Sequence, residues 1–329
     1  MFPWQRAGRL LRRAMPVAAL LTLVAWQPSR ATPVEIRMGV GEGSSEQLFL
    51  IKARPDLTPN RGSAYSYTTP TFRGPERITA LVAGQLDAVA ISTTAALFAA
   101  SKGIPMKVVA RISRDSASAF ATSYLALADS AIDLSTLKGK TFGVNGFRQA
   151  FDLYPRVAIK RAGLDPDRDV KWLLVGAPQM GDALRSHQID IGVFVPFYAK
   201  DQFLQGGVKT VFTGVSITGI EEEFDVAFSD DFIAKHADTL RAFLKDFVAV
   251  TRYYIDHTRD ARQSLIDAKM VQIDPKTYLG MTAKDDTLRT PDSKPNVETF
   301  AKLQQLMLEM SYIEKPIEVG KLVDTSFLP

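Results

Sequence analysis

Short apolar runs alternate with helix-period stripes along most of the chain, and their order predicts an α/β protein. Val34 to Val40 is a strand that enters a Gly/Ser loop, Gly41 to Ser45, and the apolar Leu48, Phe49, Leu50 and Ile51 place a helix after it. Ala64 to Thr69 is a second strand. Phe72-Arg73-Gly74-Pro75 then turns into a helix whose apolar face is Ile78, Leu81 and Val82 and which Gly84 ends. Leu86 to Ile91 is a buried strand, Ser92-Thr93-Thr94 caps the next helix, and Lys107 to Ile112 is a further strand.

The second half repeats this grammar. Ala80-Leu81, Gln85, Leu86 and Asp87 match Ala183-Leu184, Gln188, Ile189 and Asp190 at a constant offset of 103 residues, which predicts two α/β lobes of similar design. Thr141 to Val144 followed by Asn145-Gly146, and Ile191 to Val195 followed by Pro196-Phe197-Tyr198, supply two strand-to-helix loops of the second lobe. From Ser229 the pattern is helical alone. Leu240, Phe243, Leu244, Phe247 and Val250 form one apolar stripe, and Val297, Phe300, Leu303, Leu306, Met307 and Met310 another. The polar, proline-containing run from Leu279 to Asn296 between them reads as a surface loop.

Composition changes the picture at the N-terminus. The 329 residues are 46% hydrophobic and 23% charged, an ordinary globular mixture, with a formal charge of +4. Five arginines and no acid lie in the first 31 residues, so the remaining 298 carry −1 and offer no electrostatic case for nucleic acid. Arg6, Arg9, Arg12 and Arg13 precede an apolar stretch of 13 residues, Ala14 to Trp26, and Ser29-Arg30-Ala31 supplies small residues for cleavage. A bilayer-spanning helix needs about 20 residues, so the stretch predicts an export signal, residues 1–31, cut near Ala31/Thr32. The expected location is the periplasm.

Candidate chemistry is sparse. The absence of cysteine excludes disulfides, thiolate nucleophiles and cysteine-ligated metals. The three histidines, His187, His236 and His257, fall in turns and caps, and no HExxH, GxSxG or P-loop string occurs. Gly39, Gly41 and Gly43 follow a strand, but Ser44 stands where a dinucleotide loop needs its third glycine. What remains is a ring of strand ends carrying Ser44, Ser45, Arg73, Ser92, Thr93, Asn145, Arg148, Phe197 and Tyr198. Ser92, Thr93 and Asn145 also suit helix caps, and Arg73 and Arg148 also suit solvated surface charge. Together they fit a ligand cleft, with donors taking a small oxyanion and Phe197 or Tyr198 its organic tail.

The strings PERITALVAGQLDAVAISTTAALFAASKGIPMKVVA (Pro75 to Ala110), DLSTLKGKTFGVNGF (Asp133 to Phe147), RAGLDPDRDVKWLLV (Arg161 to Val175), ALRSHQIDIGVFVPFYA and the closing VDTSFLP resemble periplasmic solute-binding proteins of ABC importers, in the sulfonate, nitrate and thiamine-precursor group. The resemblance implies the type II two-lobed periplasmic-binding-protein fold, with two crossing hinge strands at Ser123 to Ala128 and Phe224 to Phe228. Lobe 1 would comprise 32–124 and 224–329, and lobe 2 would comprise 125–223. Carried over by position, the ligand-facing residues are Glu42, Ser44, Ser45, Arg73, Gly74, Ser92, Thr93, Asn145, Phe147, Arg148, Phe197 and Tyr198. Glu42 and Glu46 beside the first loop depart from the pattern, as does Val195 in place of a tryptophan, and the acids admit a zwitterion as well as an anion. The resemblance implies a monomer without cofactor or metal that captures a small molecule, sulfonate-like, taurine-like or nitrate-like, and delivers it to an inner-membrane ABC permease. A periplasmic sensor presenting its closed form to a receptor, and an enzyme resembling the pyrimidine synthases of this fold, are the alternatives.

Overall fold

In the first half of the chain, β1 (Val34–Gly39), β2 (Tyr65–Thr68), β3 (Ala88–Ser92) and β4 (Met106–Arg114) alternate with α1 (Glu46–Ala53), α2 (Gly74–Val82) and α3 (Thr93–Ser101). The second half holds β5 (Ser123–Leu127), β6 (Thr141–Val144), β7 (Lys171–Leu174), β8 (Ile191–Phe194) and β9 (Val208–Thr213), with α4 (Ala150–Arg161), α5 (Met180–Arg185), α6 (Pro196–Gln205) and α7 (Gly214–Thr218). β10 (Glu223–Ser229) leads into helices α8 (Asp230–Lys235), α9 (Ala237–Asp256), α10 (Thr258–Asp267), α11 (Pro275–Leu279), α12 (Val297–Glu309) and α13 (Val319–Leu322). This computed structural model describes residues 32–41, 45–72, 74–271 and 273–329. The export signal 1–31 and the expected site residues Glu42, Ser44 and Arg73 lie outside the described residues.

The strands form two five-stranded sheets of matching order, β2-β1-β3-β10-β4 and β7-β6-β8-β5-β9. β1 pairs parallel with β2 and β3, and β6 pairs parallel with β7 and β8. One strand in each sheet runs antiparallel to its neighbours, and it is the strand that arrives from the other half of the chain: β10 in the first sheet, β5 in the second. The repeat seen in sequence has a shared physical cause. Asp87 accepts from the Arg37 backbone N–H at 2.8 Å and Asp190 from the Thr141 backbone N–H at 2.8 Å, so each acid pins the turn before a third strand to the first strand of its own sheet. Gly84 and His187, also 103 apart, take positive φ of 68° and 57° in those turns; the histidine is a turn residue in a conformation that favours glycine.

The strands expected to cross between lobes are interior members of the sheets. The crossings are the segments just before them, 115–122 and 219–222, joined by a hydrogen bond from the Asp115 N–H to the Glu222 carbonyl at 2.8 Å. β7 and β9 carried no clear signal because each lies at a sheet edge, with Leu174 in β7 52% exposed. Phe243, Leu244, Phe247 and Val250 of α9 are fully buried over one face of the first sheet. Phe300, Leu303 and Met307 of α12 are buried over α3 on the other, while Val297 at the helix start is exposed.

Two expectations fail for stated reasons. The buried stripe of α2 is Arg77, Ala80 and Leu81, so Val82 points outward, 62% exposed. The run from Leu279 to Asn296 is packed against the first sheet, where Leu288 exchanges backbone hydrogen bonds with Arg114 at 2.8 and 2.9 Å. Asp286 and Arg289 of this run are buried because they pair with each other at 3.0 Å, and Asp286 also with Arg262 of α10 at 2.7 Å.

Candidate functional site

Strand ends of both sheets and both crossing segments enclose a cavity of about 350 Å³. The first sheet contributes Gly41, Phe72, Arg77 and Ser92; β4 and the first crossing contribute Ser113, Arg114, Asp115 and Thr122. The second sheet contributes Asn145, Gln149, Phe151, the stretch 174–177 and Pro196, and the second crossing Glu222, Glu223 and Phe224.

Among the described residues, the buried side-chain atoms of this cavity left without partners belong to Arg77, Arg114 and Ser113. Arg77 is 8% exposed, its Nη1 has no hydrogen-bond partner among the described residues, and its guanidinium sits 5.9 Å from the Phe224 ring centroid. Burial pushes its pKa down to about 10, because holding the guanidinium from water disfavours its charged form. Ser113 Oγ and Arg114 Nε are likewise buried without partners among the described residues. The carboxylates are mostly consumed by the protein itself. Glu222 accepts from the Thr94 N–H at 2.8 Å, the Thr94 hydroxyl at 2.9 Å and the Tyr154 hydroxyl. Glu223 accepts from Arg111 at 2.5 Å and the Asn296 N–H at 2.9 Å, and Glu221 pairs with Arg114. Asp115 differs: Thr122 supplies its hydrogen bonding, at 2.8 Å from the backbone N–H, and no cation pairs with it among the described residues. Burial raises Asp115 to about 6 and Glu222 to about 7.

Of the residues expected from sequence, Ser92 and Asn145 line the cavity. Ser92 also caps α3 by accepting from the Ala95 N–H, and Asn145 accepts from Gln149. Ser45 is buried at the start of α1, and Gly74 opens α2. Thr93 is turned away, its hydroxyl donating to Asp225 at 3.0 Å. Arg148 is exposed, in left-handed backbone with φ 62°, and its guanidinium lies over the rings of Phe98 and Tyr312 at 5.7 and 5.1 Å; Phe147 beside it is 40% exposed. Phe197 packs edge-on against Tyr198 and Tyr278, 5.3 and 6.4 Å between centroids, and neither Phe197 nor Tyr198 lines the cavity. Glu46 is taken by Arg289 at 2.9 Å.

Arg77, Ser113, Arg114, Asp115 and Glu222 were not singled out in sequence, though two signals existed. Arg77 shares the helix stripe of Ala80 and Leu81, and it lies in the first turns, where the helix dipole disfavours a cation. The acidic run Glu221-Glu222-Glu223 enters an otherwise buried strand.

Gly41 makes the Arg77 position possible, since a Cβ there would lie 2.6 Å from Arg77 Nη1. Gly41→Ala is therefore expected to push the guanidinium aside and weaken anion binding about tenfold, the scale of one charged hydrogen bond. The melting temperature should hold, because the displaced atoms end a flexible side chain. Calorimetric affinity and melting on the same preparation check this.

Among the described residues no group of three or more His, Asp or Glu is placed to hold a metal ion, and no helix is long and apolar enough to cross a membrane. Residues 31–269 match the model of the NMT1-like family. No curated protein matches the sequence. Among solved structures, the ligand-binding component of an ABC-type import system from Staphylococcus aureus, with zinc bound, superposes with a TM-score of 0.72 at 14% identity, covering 89% of this chain and 97% of that one. The alkanesulfonate-binding protein SsuA from Xanthomonas axonopodis pv. citri, bound to MOPS, gives 0.70 at 18% identity over 89% and 99% of the two chains. The periplasmic nitrate-binding protein NrtA from Synechocystis PCC 6803 gives 0.70 at 11% identity over 90% and 87%. The fold is the two-lobed periplasmic-binding-protein fold expected from the sequence.

Proposed function

The chain belongs to the NMT1-like family, and on that footing we propose that it is an extracytoplasmic solute-binding protein of an ABC importer that captures a small organic anion between its lobes. The observation that carries the choice of ligand is Arg77 Nη1, buried in the cavity wall without a partner among the described residues. An isolated buried cation is unfavourable, and an oxyanion restores to it a charge-assisted hydrogen bond. Ser113 Oγ and Arg114 Nε add donors, Ser92 and Asn145 stand at the rim, and Phe72, Phe151 and Phe224 cover an organic tail. Import is adopted from the S. aureus relative's part in an import system, and periplasmic location from the arginine block and apolar run of residues 1–31. Binding and hinge closure require no bond to be made or broken.

A second reading, a zwitterion, is favoured by Asp115, a cavity carboxylate without a cation partner among the described residues. A thermal-shift screen of alkanesulfonates, nitrate, carboxylates, amino-sulfonates and plain amines separates the two. A ligand at 100 times its Kd adds about 2.7 kcal/mol of stability. Shifts with anions as a class support anion capture, shifts confined to amino-sulfonates select the zwitterion, and shifts with plain amines alone overturn both.

A further inference from the structure

The cavity that offers Arg77 to an anion also holds a carboxylate, Asp115, that no cation pairs with among the described residues. Asp115 sits on the first crossing segment, buried, and lines the same 350 Å³ as Arg77, Ser113 and Arg114. An anion entering that space shares it with a buried like charge, a repulsion that favours neutralising one of the two. We propose that Asp115 takes up one proton from solvent when an anion enters the cavity and then, as a neutral acid, donates its O–H to the bound oxyanion. This rests on the anion reading above and assigns Asp115 as a specificity residue of that site.

The surroundings favour Asp115 over its neighbours as the proton acceptor. From the second crossing it faces Glu221, which is paired with Arg114 of β4 and accepts from Ser116, and Glu222, whose oxygens are occupied by Thr94 of α3 and Tyr154 of α4. From β10 come Glu223, paired with Arg111 of β4, and Asp225, bonded to Thr93. From α2 come Arg77 and Glu76, and from β5 Tyr124. Protonating Glu221 or Glu223 would break an ion pair, and protonating Glu222 would waste an acceptor site filled by another residue's donor. Among the described residues, protonating Asp115 disturbs its bonds to Thr122 alone. Burial already raises the free group to about 6. A bound anion raises it further, so uptake falls in the window from about pH 6 upward through neutrality.

The test is calorimetry of ethanesulfonate binding from about pH 6 to 8.5, each point in two cationic buffers that hold that pH and differ in ionisation enthalpy, bis-tris and imidazole up to neutrality and Tris and triethanolamine above it. The expected result is uptake approaching one proton per ligand near neutrality, with affinity falling as pH rises by up to about tenfold per unit. Asp115→Asn imitates the neutral acid in shape and donor capacity. It is expected to bind with no uptake, independently of pH, and more tightly than wild type at pH 8. Flat affinity in wild type overturns the proposal while leaving anion capture standing. So does uptake that survives Asp115→Asn and vanishes in Glu222→Gln. Affinity that rises with pH and is abolished by Asp115→Asn replaces it with the zwitterion. No binding of ethanesulfonate at any pH overturns this proposal and counts against anion capture as well. If Asp115→Asn fails to fold, difference infrared spectra of the wild type read the same event. A protonated carboxyl band that appears with ethanesulfonate and shifts on ¹³C-aspartate labelling supports the proposal, and its absence overturns it.

Discussion

Replacing Arg77 with methionine is expected to weaken binding of organic anions by about a hundredfold while the ligand-free protein melts no lower than wild type. The two halves of that expectation come from one fact, the burial of a guanidinium whose Nη1 has no partner among the described residues. In the bound state a charged hydrogen bond contributes roughly 1.5 to 3 kcal/mol, and its loss reduces affinity by about ten- to a hundred-and-fifty-fold. Low dielectric around the cavity places the effect toward the upper end of that range. In the free state the same group is a cost. Burial pushes its pKa down to about 10 because the charged form is disfavoured there. Methionine fills similar volume beside Phe224 without that desolvation penalty, so the free protein gains or holds stability. Calorimetric affinity with ethanesulfonate and a melting scan of the ligand-free variant check both halves. Unchanged affinity would show that Arg77 does not face the ligand, and a collapse of the melting temperature would assign it to the scaffold.

The largest stability effect is expected at Asp286. This carboxylate lies between Arg262 and Arg289, at 2.7 and 3.0 Å, and the two guanidinium groups are only 2% and 3% exposed. Burial alone would raise its pKa, but Arg289 and Arg262 together hold it below the ordinary carboxylate value. Asp286→Ala leaves Arg262 without a carboxylate, since its remaining partners are Tyr254 and the carbonyls of Tyr278 and Met281. Arg289 keeps Glu46. An uncompensated buried charge of this kind costs about 3 to 5 kcal/mol, on the order of 10 °C in melting temperature. The sign of the pH dependence follows from the lowered pKa. The stabilisation is fully present above the unfolded value of about 3.9 and fades as pH falls through the lower folded value. Denaturant unfolding of wild type and variant is therefore expected to differ by a constant amount from pH 8 to 5 and to converge in acid. Equal stability at pH 7 would show that the pair adds nothing beyond its desolvation cost. Because Arg289 also reaches Glu46 and Gln47, the variant reports on the support of the start of α1 as well.

The backbone plan was legible because the two sheets repeat one local grammar. Strands buried on both faces read as apolar runs, the helix stripes of α9 and α12 recur at helical period, and the paired acids Asp87 and Asp190 mark the same turn twice. These are properties of short segments, and neighbouring residues suffice to express them. Edge strands β7 and β9 escaped notice because half their surface faces water and their pattern is correspondingly diluted.

The candidate site was legible only at its strand ends. Ser92 and Asn145 line the cavity because a strand-to-helix loop places them there whatever the rest of the chain does. The charged residues that give the cavity its chemistry obey no such local rule. Arg77 occupies an ordinary helix position by local pattern, and what sets it apart is Gly41, 36 residues earlier, which leaves room for its guanidinium. Arg148, an equal candidate by sequence, rests on Phe98 and Tyr312, and Phe197 on Tyr198 and Tyr278. Glu46 was taken by an arginine 243 residues away, in a run that reads as a surface loop. Most of the element order, all but such edge strands as β7 and β9, came from the residues alone, as did the twofold plan and the ring of strand ends, since those depend on periodicity and turn chemistry. Which charges are paired and which are left for a ligand was decided only by the tertiary structure, because a side chain's partner is set by proximity in space, and in a buried cavity that partner determines whether the charge is spent or available.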